Sequence, residues 1–86
     1  MWQVYILKCA DETFYAGITT DLERRVLEHN NSDLGAKYTS GRRPVALVYA
    51  KKCQNRSEAS KQEHRIKKLS REEKIKLISS FKVISH

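Results

Sequence analysis

The sequence predicts a small α+β domain, in which a three-stranded antiparallel sheet is flanked by helices in the element order β-β-α-β-α-α. Two observations favour this class. Short runs of β-branched and aromatic residues separated by polar breaks occupy the first part of the chain, and apolar residues at helical spacing occupy the last part. The 86 residues suffice for one domain, which we expect at residues 1–80 with a C-terminal tail at 81–86.

Three segments have the composition of strands. Residues 2–9 are apolar without alternation, which is typical of a strand buried on both faces. Residues 14–19 are expected to form the returning strand of a hairpin, after a short polar break. The third strand is predicted at residues 44–50, with Pro44 at its start, where a strand tolerates proline.

The loop of this hairpin decides whether Tyr5 and Tyr15 can share a site. Side chains alternate along a strand with period two, so the tyrosines lie on one face only for certain registers. A three-residue loop that pairs Ala10 with Phe14 puts them together. A two-residue turn would pair Tyr5 with Ile18 and send the two phenols to opposite faces. A shared site therefore predicts the longer loop.

Three helices are predicted from capping residues and apolar spacing. Residues 20–23 read as a capping box in which Thr20 and Glu23 open a helix that runs to about residue 30. A second helix is expected to begin near residues 55–57, and a second capping box at residues 70–73 opens the third. Residues 30–41 are polar and are predicted to be the longest loop.

Charge is distributed unevenly along the chain. Residues 1–50 hold six Lys/Arg and six Asp/Glu, whereas residues 51–86 hold eleven Lys/Arg and four Asp/Glu and so carry the whole net charge of +7. A basic half of this kind is typical of proteins that bind nucleic acid. The alternative is a lysine-rich helix face that only meets solvent.

Cysteine usage and hydropathy bear on the compartment. Cys9 and Cys53 are the only cysteines, and we expect free, partly buried thiols in a reducing cytosol rather than one disulfide. The chain has no basic-then-apolar leader and no long apolar run. These features predict a cytoplasmic protein with no membrane partner.

Glu63 is a charged residue at an unusual position. It lies between Ala59 and Ile66 on the apolar stripe of the second predicted helix, where an unpaired charge would be costly to bury. Either it sits at the edge of the stripe and pairs with a neighbouring Lys or Arg, or it binds a divalent metal. The spacing alone leaves both alternatives open.

Three short motifs follow one another in the first third of the chain. Gly17 precedes Arg25 by eight residues, and Arg25 precedes His29 by four. The motifs are Val4-Tyr5-Ile6, Tyr15-Ala16-Gly17 and Arg24-Arg25-Val26-Leu27-Glu28-His29-Asn30. Their order and spacing resemble the signature of the GIY-YIG nuclease family. Val4 stands where the family name has its first glycine and Ala16 where it has isoleucine, but both tyrosines and Gly17 are in place.

The likeness extends to about residue 70 and is greatest to the small stand-alone bacterial members. It includes Lys37-Tyr38-Thr39, Arg42-Arg43-Pro44, and Glu58-Ala59 followed by Glu63. The resemblance implies the same α+β architecture. It also implies a metal-dependent endonuclease that hydrolyses phosphodiester bonds of nucleic acid, in the first place DNA, with Mg²⁺ or Mn²⁺ as cofactor.

Five catalytic residues are carried over from this resemblance. Tyr5 would take the proton of the attacking water, and Tyr15 would hold that water or a phosphate oxygen. Arg25 would clamp the phosphate, because a guanidinium binds two of its oxygens at once. His29 would assist proton transfer, hydrogen-bond Tyr5, or only interact with the helix dipole. Glu63 would hold the metal through one carboxylate and several waters.

The remaining candidates are basic or polar residues that could follow a nucleic-acid backbone. They are Arg24, Lys37, Thr39, Arg42, Arg43, Lys67, Lys68 and Arg71. A non-catalytic nucleic-acid-binding module with the same fold is the alternative function. One domain of this size leaves no obvious second binding module, so a homodimer or a protein partner for targeting is also expected.

Overall fold

The fold is taken from a computed structural model that describes residues 1–31 and 37–84, with the side chains of residues 82–84 left aside. The predicted class and element order are confirmed. The predicted loop also contains a short helix. The elements are β1 (Trp2–Lys8), β2 (Phe14–Thr19), α1 (Leu22–Asn31), α2 (Lys37–Ser40), β3 (Ala46–Cys53), α3 (Arg56–Lys67) and α4 (Arg71–Ile84).

The sheet has the strand order β2-β1-β3, with both neighbours antiparallel to β1. The central strand is buried on both faces, as predicted. Val4 and Ile6 pack in one core with α3 and α4, whereas Tyr5 and Leu7 pack in a second core with α1. Two separate apolar layers therefore fix the sheet between two groups of helices.

The tyrosines lie on the same sheet face, but the predicted pairing of Ala10 with Phe14 is wrong. Phe14 pairs with Lys8, and Tyr15 pairs with Leu7. The connection at residues 9–13 is two residues longer than predicted, and a change of two keeps the parity. Glu12 takes a positive φ of 71° in this connection, which closes a turn between Cys9 and Thr13 through backbone hydrogen bonds.

The third strand begins at Ala46 and ends at Cys53, so it starts and ends later than predicted. Pro44 lies outside the strand, after a cis Arg43–Pro44 peptide bond. The reason for the late start is local. The side-chain amide of Asn30 bonds both the backbone N–H and the carbonyl of Val45, at 2.7 and 3.0 Å. The backbone of Val45 is thereby tied to α1.

One of the two predicted capping boxes is found in the structure, and the other is not. Ser70 and Glu73 form the predicted reciprocal box, at 2.9 and 3.2 Å. The box predicted for Thr20 and Glu23 is wrong: the Asp21 carboxylate accepts from the Arg24 N–H at 3.1 Å and caps α1 instead. The last helix continues past residue 80 to Ile84.

Both cysteines are free, as predicted, but they are buried rather than partly buried. In the part of the chain that the structure describes, none of the helices has the length and hydropathy needed to cross a bilayer.

Candidate active site

A chain of three buried side chains forms the centre of the candidate site. The hydroxyl of Tyr5 lies 2.9 Å from Nε2 of His29, and Nδ1 of His29 lies 2.9 Å from Oγ1 of Thr39. Tyr5 is 1% exposed, and His29 and Thr39 are 0% exposed. The chain joins β1, the C-terminal part of α1 and α2, so it also holds these elements together.

Gly17 makes room for the Tyr5 phenol. The two residues face each other across the β1–β2 ladder. A Cβ atom at Gly17 would lie 2.5 Å from the Tyr5 hydroxyl and 2.7 Å from Cζ of its ring. No side chain fits this position while the phenol keeps its place.

Arg25 is positioned by an acidic neighbour on its own helix. One guanidinium nitrogen lies 2.9 Å from Oε1 of Glu28, while Arg24 pairs with Oε2 of the same carboxylate at 3.3 Å. Arg25 also lowers the pKa of the Tyr5 hydroxyl through hydrogen bonding and through its charge. The Arg25 hydrogen bond lowers the pKa of Glu28. Sequence reasoning gave Glu28 no role, although its spacing of three and four residues from the two arginines was a usable signal.

The electrostatics keep both Tyr5 and His29 neutral at neutral pH. Burial raises the pKa of Tyr5 to about 12, with smaller raising effects of Tyr15 and Glu63 against lowering effects of Arg25. Burial, followed by the charge of Arg25, lowers the pKa of His29 to about 4. For Tyr5, burial raises the pKa by more than the Arg25 cation lowers it. For His29, burial and the Arg25 cation both lower the pKa.

An aromatic layer covers this centre. The ring centroid of Tyr15 is 5.2 Å from that of His29 and 6.5 Å from that of Tyr5. Tyr38 on α2 stacks on Tyr15 with centroids 5.9 Å apart, and the guanidinium of Arg42 lies 4.1 Å above the Tyr38 ring. Tyr38 was quoted in the sequence motif without a role, and only the fold reveals this stack.

Glu63 belongs to α3, which packs against β1 and β2 through Ala59 and Ile66. Its side chain is 24% exposed, and Oε2 lies 3.3 Å from Nζ of Lys67. The edge position with a basic neighbour, one of the two alternatives left open, is therefore found. Its contribution to the pKa of Tyr5 shows that the carboxylate acts on the phenol electrostatically.

The donor set around Glu63 suits one kind of metal. Within the described residues, no group of three or more His, Cys, Asp or Glu side chains could hold an ion. A partly exposed single carboxylate still fits Mg²⁺ or Mn²⁺, since Mg²⁺ in particular keeps several waters and shares phosphate oxygens with its substrate. A tightly coordinated Zn²⁺ would need more ligands.

A groove of about 250 Å³ is lined by Tyr15 and Tyr38 and by Lys67 and Lys74, among others. Tyr5, Tyr15 and His29 form one cluster through ring contacts and the Tyr5–His29 hydrogen bond, and the charge of Arg25 lowers the pKa of both Tyr5 and His29. Glu63 is linked to it through its charge and through Lys67, which is both the ion partner of Glu63 and a wall of the groove.

Seven of the eight residues expected to contact nucleic acid are basic. Arg24, Lys37, Lys67, Lys68 and Arg71 are exposed at the surface, although Arg24 pairs with Glu28 and Lys67 with Glu63. Three of the arginines also bond within the protein: Arg42 pairs with Asp11, Arg43 donates to the His29 carbonyl, and Arg71 donates to the Glu12 carbonyl.

Thr39 requires a correction. Its side chain is 0% exposed and lies 2.9 Å from His29, so it does not contact nucleic acid directly as expected. The expectation followed from its place in a polar segment, whereas α2 turns the hydroxyl into the interior.

Comparison with known proteins finds relatives of similar length and fold. The GIY-YIG catalytic domain family matches residues 1–76. A UPF0213 protein of Desulfotalea psychrophila is 56% identical over 79 residues, which cover 92% of this chain and 72% of the relative. The solution NMR structure of a UPF0213 protein of Bacillus halodurans has a TM-score of 0.58 at 45% identity, and the match covers 92% of this chain and 84% of that protein. A solution NMR structure of an E. faecalis protein has a TM-score of 0.63 at 46% identity, and the match covers 94% of this chain and 85% of that protein.

Proposed function

The chain belongs to the GIY-YIG family, and from this premise we propose that it is a metal-dependent endonuclease that hydrolyses phosphodiester bonds of nucleic acid, in the first place DNA. The observation that carries the proposal is the buried Tyr5 hydroxyl, which lies 2.9 Å from Nε2 of His29 and is acted on by the charge of Arg25. A phenol that only fills a core needs one hydrogen-bond partner but no neighbouring cation. We also propose that the protein acts in the cytoplasm, and that a second copy or a protein partner assists targeting.

The chemistry starts from a neutral phenol. With a pKa of about 12, only about one Tyr5 in 10⁵ is ionised at pH 7, a deficit of about 7 kcal/mol. A preformed phenolate is therefore too rare to be the working base in the free protein. Tyr5 can take a proton from water if its own proton leaves in the same step, and Nε2 of His29 lies 2.9 Å away to receive it.

Arg25 and Glu63 would act on the phosphate. Arg25, which is paired with Glu28 at 2.9 Å, would bind phosphate oxygens beside the phenol. Glu63 would hold Mg²⁺ or Mn²⁺, which neutralises the phosphate and stabilises the leaving oxygen when bound. Tyr15, which lines the groove, would hold the attacking water or a phosphate oxygen.

A binding module without catalysis is the second candidate. The observation in its favour is the ion pair of Glu63 with Lys67, which already neutralises the carboxylate that a metal would need. The two candidates differ in one property. Cleavage requires a divalent cation at Glu63, whereas binding through the basic face does not.

The test is cleavage of labelled branched, flapped, single-stranded and duplex substrates, with Mg²⁺, with Mn²⁺ and with a chelator. We expect metal-dependent products from the wild type and none from Glu63→Gln, because a neutral amide is a poor ligand for these ions. Glu58→Gln is the matched control, since it makes the same charge change on the same helix and should leave cleavage intact.

Nucleic-acid affinity separates the two candidates further. Removing one negative charge should leave the affinity of Glu63→Gln equal to or slightly above that of the wild type. Binding without any metal-dependent cleavage by the wild type would favour the module. Equal cleavage by the wild type and Glu63→Gln would exclude this residue from the mechanism.

A further inference from the structure

We propose that the groove beside Tyr15 is a binding site for one phosphodiester of a nucleic-acid strand, and that Lys74 binds this phosphate together with Lys67. Lys74 was not among the residues predicted to contact nucleic acid. The choice of ligand rests on the function proposed above, whereas the site itself is defined by the charges and the shape of the folded chain. Binding there requires neither a metal nor cleavage.

The groove carries two cations and aromatic rings. Its volume is about 250 Å³, and its lining includes Lys67 of α3, Lys74 of α4, Tyr15 and Tyr38. None of the described residues that line it is acidic. Two ammonium groups on one small groove repel each other unless an anion neutralises them, so this charge pattern favours an anionic ligand. A volume just below the roughly 300–1,000 Å³ of pockets for drug-sized ligands suits a group of nucleotide size.

Lys74 stands out among the lysines of the chain. It is half-buried, whereas every other lysine whose side chain the structure describes is exposed. In the described part of the chain, no carboxylate forms an ion pair with its ammonium group, while Lys67 is paired with Glu63 at 3.3 Å. A partly desolvated cation gains more from an anionic partner than a fully hydrated one. Lys74 is therefore the residue for which a bound phosphate would change most.

Arg71 fixes the part of α4 that carries Lys74. Its guanidinium donates to the carbonyl of Glu12 at 2.8 Å and lies 5.0 Å from the centroid of the Phe14 ring. Lys74 follows three residues later, which places it on the same side of the helix, and it lines the groove with Phe14 and Tyr15 of β2. The hairpin that carries Tyr15 thus also holds the helix that supplies the cation.

The groove adjoins the catalytic candidates through Tyr15. The ring centroid of Tyr15 lies 5.2 Å from that of His29 and 6.5 Å from that of Tyr5. A strand whose scissile phosphate lies at these residues would therefore place a neighbouring phosphate in the groove. Because an ammonium group is a compact charge with three donors, Lys74 would position the strand without reading its sequence.

The test is the salt dependence of nucleic-acid binding, followed by fluorescence anisotropy of a labelled DNA oligonucleotide with a chelator present. Lys74→Gln should make the slope of log affinity against log salt less steep by about one unit, because one phosphate contact is lost. The advantage of the wild type should then shrink about tenfold for each tenfold rise in salt. Lys74→Arg keeps the charge and should keep the slope.

Lys76→Gln is the matched control. It removes the same charge from the same helix, but Lys76 is exposed, and residues two positions apart on a helix do not share a side. Its slope should stay close to that of the wild type. An unchanged slope for Lys74→Gln, or an equal change for Lys74→Gln and Lys76→Gln, would overturn the proposal.

NMR of the lysine side chains gives a second readout on the wild type, so this readout does not depend on the folding of a variant. The Cε–Hε signals of Lys74 should shift when the oligonucleotide is added in the presence of chelator, and those of Lys76 should not. Unshifted Lys74 signals would overturn the phosphate site even in an active nuclease. Conversely, a protein that binds through Lys74 but cleaves nothing with Mg²⁺ or Mn²⁺ would contradict the proposed function and support the site.

Discussion

The backbone of Gly17 lies against the hydroxyl of Tyr5 so closely that an added Cβ atom would come within 2.5 Å of the oxygen. The third residue of the second sequence motif is thus a steric requirement of the tyrosine in the first motif. The hydroxyl of the phenol is also held by its hydrogen bond with His29, at 2.9 Å.

Substituting Gly17 tests this relationship. We expect Gly17→Ala to lower the free energy of unfolding by about 1–3 kcal/mol, since the methyl group overpacks a buried site, and to disturb the Tyr5–His29 hydrogen bond. Gly41→Ala is the matched control, because its added Cβ atom would meet no atom within 4 Å. Urea unfolding of both variants measures the difference. A Gly17→Ala protein as stable as Gly41→Ala would contradict the close contact.

The stability of the protein should fall on mild acidification because of His29. Its pKa is lowered from 6.5 to about 4 in the folded state, so the unfolded chain binds the proton more tightly. The contribution of neutral His29 to the free energy of unfolding is complete above about pH 6.5 and is lost as the pH falls towards 4. This contribution amounts to about 3 kcal/mol.

The measurement is urea unfolding as a function of pH, with each protein referred to its own stability at pH 8. Carboxylates such as Glu28 and Glu73, whose pKa values are lowered, add their own loss at the acid end. The comparison with His29→Gln isolates the histidine, since this variant should lose less stability between pH 6.5 and 4. His64→Gln replaces an exposed histidine on α3 and should retain the His29 contribution. Identical pH profiles for the wild type and His29→Gln would exclude a buried neutral His29.

Nucleic-acid binding should depend steeply on salt. If about four phosphates are neutralised, log affinity should fall with log salt at a slope of about −3 to −4. Exchanging Lys67 and Lys68 for glutamine together should make the slope less steep by about two units, and equally so for unrelated sequences. Arg71 is left in place, because its guanidinium supports the hairpin loop through the Glu12 carbonyl.

The sheet provides the control for this measurement. Lys51 and Lys52 are exposed on β3, at the opposite edge from β2 and the groove, and their exchange removes the same two charges. Fluorescence anisotropy at several salt concentrations should give nearly the wild-type slope for this second pair. An equal change for both pairs would mean that total charge attracts nucleic acid and that no particular face binds it.

Much of the architecture could be predicted because it depends on local rules. The assumption of a shared site, combined with period-two alternation, predicted one face for Tyr5 and Tyr15 even though the predicted loop was two residues too short, since an error of two residues preserves parity. The Ser70 capping box was correct because all of its partners lie within one helical turn. The box at Thr20 failed because Asp21, one residue later, is an equally good cap.

The sequence by itself determined the fold class and the set of residues from which a nuclease site could be built. The tertiary structure decided the register that puts the two tyrosines on one face, and the contacts and protonation of the site residues. The partners of His29 lie twenty-four and ten residues away along the chain, and burial by the whole fold moves its pKa and that of Tyr5. Spacing records only local geometry, whereas desolvation and the hydrogen-bond partners of a side chain depend on which distant groups the packed core brings together.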